Sequence, residues 1–246
     1  GSATNDGGAG MLAELGARFL DASGRRIGTS PDALAALASV DLRGMDPRLA
    51  GLRVEAACDV DNPLLGERGA SAVFGPQKGA APEDVEFLDS VLERWAEASG
   101  RRELARRPGA GAAGGLGFAL LAFLGAALEP GVELVSRAVG LAEAVTGAEL
   151  VLTGEGSVDA QTLAGKTPAG VARTAAARGV PTVILAGRVK PDADVLLSTG
   201  CVAILSVSQG QAQSLAQMLR AAPVNTERAA ATAMRLWTRR PGPAAI

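Results

Sequence analysis

The chain reads as an α/β protein built on a parallel sheet, and three observations predict that class. From Ala148 onward, apolar runs at 150–152, 182–186 and 202–205 alternate with helical stretches at 168–178, 192–198 and 214–220. Such a β-α-β-α-β rhythm needs crossover connections and therefore parallel pairing. Hydrophobic residues make up 48% of the sequence but aromatics only 3%, so the core is Ala, Val, Leu and Ile, which suits helices packed closely on a sheet. The 32 glycines gather in short motifs and show no collagen-like period.

In chain order, Asn5 and Asp6 precede Gly7-Gly8 and an apolar segment with Met11, Leu12 and Leu15, the pattern of a polar cap before a helix. The leading Gly-Ser has the form of a cloning remnant. ARFLD followed by ASGRR predicts a strand entering a turn, and SPDALAAL a short capped helix. Residues 52–58 predict a buried strand closed by Asp59-Val60-Asp61-Asn62-Pro63. If the strand runs on, its two-residue repeat puts Asp59 and Asp61 on one face. Paired carboxylates there can hold Mg²⁺ or take a proton from an alcohol, and an Asx-type turn closing the strand is the other reading. GASAVFGPQKGA is a loop with Lys78 at its tip, and 82–99 is a packing helix carrying Val85, Leu88, Val91, Leu92 and Trp95 on one face.

GAGAAGGLG at 109–117 precedes an apolar helix predicted over 118–128. Gly109, Gly111 and Gly114 have a dinucleotide-like spacing, but the charged RRELARRP ahead of them is no strand. Gly111, Gly114 and Gly115 are candidates to cradle an anion, or else to let helices pack closely.

The stretch VLTGEGSVDAQTLAGKTPAGVA organises the second half. Its apolar start ends in Thr153-Gly154-Glu155-Gly156, where paired glycines predict a tight turn and close approach to a ligand. A polar loop with Asp159 and Gln161 follows. Gly165-Lys166-Thr167-Pro168 then opens a helix, with Thr167 as cap and Pro168 at the first helical position. A helix start offers free N–H groups and a positive dipole end, so this order of parts suits a phosphorylated ligand. An ordinary strand-to-helix connection is the alternative. The P-loop-like run from Ala160 to Thr167 is a chance match, because no strand abuts it. Residues 225–237 predict a terminal amphipathic helix capped at Asn225-Thr226-Glu227, and 241–246 a frayed end.

Composition narrows the chemistry. With 24 basic against 26 acidic residues and no basic block, nothing points to nucleic acid. The absence of histidine removes Ser-His triads and imidazole metal ligands, leaving proton transfer to Asp, Glu or Lys. Lysine is scarce: Lys78 and Lys166 adjoin glycines in motifs, where a compact charge suits phosphate, whereas Lys190 reads equally as a surface residue. Cys58 and Cys201 read as buried free thiols. No apolar stretch reaches membrane-spanning length and no signal segment is present, so a cytoplasmic location is expected, without a membrane partner.

Taken in order, SATNDGGAGML, ACDVDNPLLG, VFGPQKGA, PGAGAAGGLG and LTGEGSVDAQTLAGKTPAGVA resemble the motifs of the bacterial-type glycerate kinase family over nearly the whole chain. The resemblance implies phosphorylation of D-glycerate by ATP with Mg²⁺, giving 2-phosphoglycerate. It also implies two α/β domains, one Rossmann-like and made from both chain ends, the other inserted. On that likeness residues 1–130 are part of the inserted domain and 131–246 the C-terminal part of the Rossmann-like one. Gly154, Glu155, Gly156 and Asp159, with Gly111, Gly114 and Gly115, would lie near the nucleotide. Asp59, Asp61 and Lys166 would act in the reaction, Asn5, Asp6 and Lys78 would line the glycerate cleft, and Asp59 and Asp159 would hold Mg²⁺. The family's Asp-Ser-Phe-Lys-Gly loop and Asp-Gly-Gly-Glu-Gly segment have no counterpart here. The chain therefore reads as roughly the C-terminal two-thirds of such a kinase, truncated at the N-terminus. A bare sheet edge would then call for that N-terminal portion, or a second copy, as partner. A non-catalytic α/β nucleotide- or anion-binding module is the alternative function. A dinucleotide oxidoreductase is disfavoured, because the glycine spacing lacks its strand and downstream acid.

Overall fold

The computed structural model describes residues 2–208 and 214–239, so the expected frayed end at 241–246 lies outside the described residues. The chain divides into two units, Gly1–Gly131 and Val132–Ile246.

The first unit runs α1 (Ala9–Glu14), β1 (Arg18–Leu20), α2 (Pro31–Leu34), β2 (Ser39–Asp41), β3 (Glu55–Ala57), α3 (Ala70–Phe74), α4 (Pro82–Ala98), α5 (Ala112–Leu124) and β4 (Ala127–Glu129). Its strands are three residues each: β1 and β2 pair antiparallel through Phe19↔Val40, and β3 and β4 pair parallel through Ala56↔Leu128. Ser30 caps α2 by accepting from the Ala33 N–H at 3.3 Å. The amphipathic face of α4 buries Val91, Leu92 and Trp95 beneath Leu12, Phe19, Leu64 and Phe118. Trp95 is the centre of this core, stacked on Phe123 at 5.3 Å between ring centroids and edge-on to Phe118 at 6.2 Å.

Two expectations need correction here. The strand foreseen over 52–58 is only Glu55–Ala57, so it ends before Asp59. The helix foreseen over 118–128 stops at Leu124, because Gly125 takes a left-handed φ of 59° and turns the chain out. Ala127–Glu129, instead of prolonging the helix, becomes the partner strand of β3. Cys58 is half-buried and Cys201 buried, and both are free thiols.

α6 (Gly131–Ala138) starts on the last residue of the first unit, and the second unit holds the rest of it with α7 (Leu141–Ala144), β5 (Val151–Val158), α8 (Thr167–Ala176), β6 (Thr182–Val189), β7 (Cys201–Ser206) and α9 (Leu215–Thr238). The three strands form one parallel sheet in the order β5-β6-β7, as the alternating pattern predicts. Alternate residues of β6 serve opposite faces. Ile184 and Ala186 pack with Ala169 and Ala172 of α8, while Val183 and Leu185 pack with Ala229 and Ala233 of α9. The stretch expected as a helix at 192–198 is a 3-10 turn, Ala193–Thr199.

The two terminal helices expected at 214–220 and 225–237 are one, continuing through Pro223. Its start is fixed by a reciprocal cap: Ser214 Oγ accepts from the Gln217 N–H, and the Ser214 N–H donates to Gln217 Oε1. Asn225 is accordingly interior to α9 and caps nothing. Among the described residues, no helix is long and apolar enough to cross a membrane.

Candidate functional site

In the second unit the sheet brings four charged side chains together. The run Thr153–Gly156, expected to be a turn, is extended and lies within β5, registered Gly154↔Leu185 and Glu155↔Ala186 against β6. Cross-strand pairing overrides the local preference of glycine for turns. A Cβ on Gly154 would stand 2.7 Å from the Leu185 carbonyl oxygen, so the glycine serves close strand approach. Because Glu155 is paired with Ala186, it points to the sheet face covered by α8.

After β5, Asp159 opens the 3-10 turn Ala160–Ala164, its N–H donating to Thr162 Oγ1 at 3.2 Å. Gly165, at φ 113°, leads into Lys166, and it is Lys166 rather than Thr167 that occupies the N-cap of α8, with Thr167 the first helical residue. Pro168 then falls one position later than foreseen, still in the first turn where its missing N–H has no intrahelical acceptor to lose. The cap makes no side-chain hydrogen bond to the helix.

The geometry of the four groups is uneven. Lys190, just past β6, donates from Nζ to Asp159 Oδ2 at 2.7 Å. Lys166 Nζ stands 3.8 Å from Asp159 Oδ1 and 4.0 Å from Glu155 Oε1, outside hydrogen-bond reach of both. Asp159 Oδ1 and Glu155 Oε2 are buried without any hydrogen-bond partner. The hydrogen bond from Lys190 holds the Asp159 carboxyl below the usual carboxylate range; burial opposes this, and the charges of Lys190 and Lys166, with the nearby Gln161 N–H, assist it. The same bond raises the Lys190 ammonium. The result is an ionised carboxylate with one oxygen anchored and one bare, beside a loosely held ammonium at a helix start. Such a set can take an anion on the cation and the helix N–H groups, and a hard cation on the bare oxygens. Lys190 carries no motif that marks it for this site; the rarity of lysine is its one signal in the sequence.

In the first unit, Asn5, Asp6 and Lys78 do meet. Together with Thr4, Ser30 and Asp84 they line a cavity of about 680 Å³. Asn5 Nδ2 donates to Ser71 Oγ at 2.9 Å while its Oδ1 is buried and unpartnered. Lys78 Nζ donates to the Thr4 carbonyl at 2.8 Å, and burial pushes its ammonium below the usual lysine value, with the Asp6 charge opposing. Asp6 carries the cap that the glycine at the N-cap of α1 cannot: its two carboxylate oxygens accept from the Gly8 and Gly10 N–H groups at 3.0 and 2.9 Å. Asp6→Ala is therefore expected to lower stability by about 0.5–2 kcal/mol, read as a shift in the urea midpoint without a change in slope.

The glycine motif at 109–117 is built against this same loop. Gly114 and Gly115 take left-handed φ of 70° and 89°, and a Cβ on either would collide with backbone, of Thr4 and Asn5 in the first case and of Gly7 in the second. A Cβ on Gly111 would collide with the Pro63 carbonyl. The Gly7 N–H donates to the Gly114 carbonyl at 2.9 Å. The space proposed for an anion beside Gly111, Gly114 and Gly115 is thus filled by the chain itself: Gly114 and Gly115 shape the Asn5–Asp6 loop by close packing, and Gly111 packs on Pro63.

The pairing of Asp59 and Asp61 does not form, because β3 ends at Ala57. Asp59 Oδ1 accepts from the Gly131 N–H at 2.8 Å at the start of α6. Asp61 is exposed and paired with Arg68 at 3.0 Å. Asp59 thus holds a backbone N–H from a distant segment and Asp61 an arginine, so the shared face read from their spacing is absent. Among the described residues, no three Asp, Glu, Cys or His side chains converge as a metal site. For a cation held by two carboxylates, Glu155 and Asp159 each offer a buried oxygen without a hydrogen bond, whereas Asp59 Oδ1 already accepts from the Gly131 N–H.

Residues 1–238 match the model of the Glycerate kinase family. The chain is 47% identical over 213 residues to a glycerate kinase of Bacillus subtilis (strain 168), covering 85% of this chain and 56% of that protein. It is 46% identical over 210 residues to the glycerate 2-kinase of Escherichia coli (strain K12), covering 84% and 55%. A crystal structure of a provisionally assigned glycerate kinase 2 from Salmonella typhimurium LT2 superposes with a TM-score of 0.82 at 44% identity, over 98% of this chain and 64% of that one. The chain thus spans a little over half the length of these curated relatives.

Proposed function

Because the chain belongs to the glycerate kinase family, we propose that it takes part in ATP-dependent transfer of a phosphoryl group to D-glycerate, giving 2-phosphoglycerate. The observation that carries this reading is the state of Lys166: an ammonium at the N-cap of a ten-residue helix, beyond hydrogen-bond reach of the two carboxylates beside it. A cation held so loosely is free to close on phosphate oxygens, with the first N–H groups of α8 behind it.

Mg²⁺ fits the same place. Glu155 Oε2 and Asp159 Oδ1 are hard oxygen donors, buried and without hydrogen bonds, and Mg²⁺ is commonly held by one or two carboxylates together with substrate phosphates. When bound, the ion neutralises charge on the phosphates and on the group in transfer. The chain's own contribution is to orient: Lys166 steadies the phosphates, and Glu155 and Asp159 fix the position from which they are presented. We assign D-glycerate to the cavity of Asn5, Asp6 and Lys78, where the desolvated Lys78 ammonium suits an organic carboxylate and the bare Asn5 Oδ1 can accept from a hydroxyl. No proton relay is required of a histidine, since phosphoryl transfer is largely positioning and charge stabilisation.

The test is a coupled assay of ADP release with D-glycerate, with the product identified by phosphorus NMR, beside calorimetric titration of ADP with Mg²⁺. Lys166→Ala is expected to weaken nucleotide affinity about ten- to a hundredfold, corresponding to the about 1.5–3 kcal/mol of a charge-assisted hydrogen bond. Unchanged affinity in a folded variant would remove Lys166 from the site. Nucleotide binding without turnover by the unaltered chain would favour the binding-module reading.

A further inference from the structure

We infer that Lys190 is a positioning residue for the nucleotide site: it anchors one oxygen of Asp159 so that the other is held bare toward Lys166 and Glu155. The inference rests on the nucleotide reading of that cluster and goes beyond it, since Lys190 belongs to none of the motifs that suggested the site.

The geometry gives the two lysines different tasks. Lys190 Nζ is 2.7 Å from Asp159 Oδ2, a short charge-assisted hydrogen bond, whereas Lys166 Nζ is 3.8 Å from Asp159 Oδ1. The anchor is itself fixed by the sheet. Val158 and Val189 are in register, and the Lys190 N–H donates to the Val158 carbonyl at 3.0 Å, so the residues after the two strands are brought side by side. On the other flank, the Asp159 N–H is held by Thr162 Oγ1. With its backbone and one oxygen fixed, the Asp159 side chain has one orientation left, and in it Oδ1 is buried and unpartnered.

A simple pair of Lys190 with Asp159 does not account for an oxygen buried without a hydrogen bond and with only the Lys166 ammonium at 3.8 Å, since a buried acceptor without a hydrogen bond is a cost. An oxygen held bare by a second residue is the arrangement of a cation ligand whose orientation is set from its outer side. Lys190 keeps about half of its side chain exposed while Asp159 is 9% exposed, so the lysine guards the outer oxygen and leaves the inner one to the ligand.

The experiment uses the 246-residue chain and follows ADP binding by calorimetry with and without Mg²⁺, alongside melting temperature. Lys190→Met is expected to weaken Mg²⁺-dependent ADP affinity about tenfold or more, with metal-free ADP affinity changed by less than about twofold. Lys190→Arg, which keeps a cationic donor, is expected to recover most of the loss. In an Asp159→Asn background Lys190→Met is expected to add almost nothing, because its effect passes through the carboxylate. Full additivity of the two substitutions would overturn the inference, as would a fall in melting temperature with Mg²⁺-dependent affinity intact. An unaltered chain that binds Mg²⁺-ADP while Lys190→Met binds it equally well overturns this inference alone. An unaltered chain that binds no Mg²⁺-ADP overturns the nucleotide reading and this inference with it.

Discussion

Asp159→Asn is expected to reduce turnover by about a hundred- to a thousandfold while leaving the melting temperature within a few degrees of the parent. Asparagine keeps the shape of the side chain, and its amide oxygen can still accept from Lys190. What it removes is the charge. Two ammonium groups, Lys166 and Lys190, then face a site with one carboxylate fewer, and a divalent cation loses an anionic ligand. Lys166 also loses one of the two carboxylate charges beside the position from which it is proposed to meet phosphate. The loss should therefore appear as a steeper requirement for Mg²⁺ and a fall in kcat, measured by ADP release across a magnesium titration. A kcat/KM within about threefold of the parent would show that Asp159 serves only to start the 3-10 turn behind it.

How far the sequence discloses such a site depends on what each signal measures. The β6 and β7 strands are legible because their apolar runs are buried between α8 and α9, and periodicity reports burial. Strand β5 is only half legible. Its apolar start was plain, but Gly154, Glu155 and Gly156 carry no strand signal, and they are extended because β6 pairs with them. The four strands of the first unit are three residues each, too short for alternation to register. In α9, Pro223 reads as a break between two helices. It removes a single backbone donor, and alanine-rich sequence on both sides carries the helix through.

The same distinction separates the residues of the site. Glu155, Asp159 and Lys166 lie within twelve consecutive residues, and local motif reading groups them. Lys190 comes from 31 residues beyond Asp159, and only the parallel register of β5 with β6 makes them neighbours. Asp59 and Asp61 show the reverse error. Their spacing suggested a shared face, but a face exists only where the strand does, and β3 ends at Ala57. The glycines at 111, 114 and 115 suit either a ligand or close packing. They are permissive toward backbone, the packing alternative that composition alone could not separate from the first.

That packing leads to the largest stability effect expected. Trp95→Ala should destabilise the first unit by about 3–5 kcal/mol, the usual cost of truncating a fully buried indole. A loss of that size corresponds to a drop in melting temperature of roughly 10 °C or more for a unit of this length. The ring contacts Phe19, Phe118 and Phe123, so its removal opens a cavity against three aromatic partners that cannot collapse together. It also frees a specific bond. Trp95 Nε1 donates to the Gly7 carbonyl at 2.9 Å, while the Gly7 N–H is held by Gly114, so both polar groups of that residue are pinned. Gly7 itself has φ 65°, and a Cβ there would strike the indole, so the loop that carries Asn5 and Asp6 is moulded to Trp95. Trp95→Phe separates the two contributions, since it keeps most of the ring and deletes the N–H. The Phe variant should lose only about 1–3 kcal/mol, from a buried carbonyl left without its donor. With Gly7 released on one side, the Asn5–Asp6 loop should hold D-glycerate less well. The KM for glycerate should therefore rise in the folded Phe variant while ADP affinity stays unchanged. A Phe variant with parental KM for glycerate would confine Trp95 to the core and detach it from the acceptor pocket.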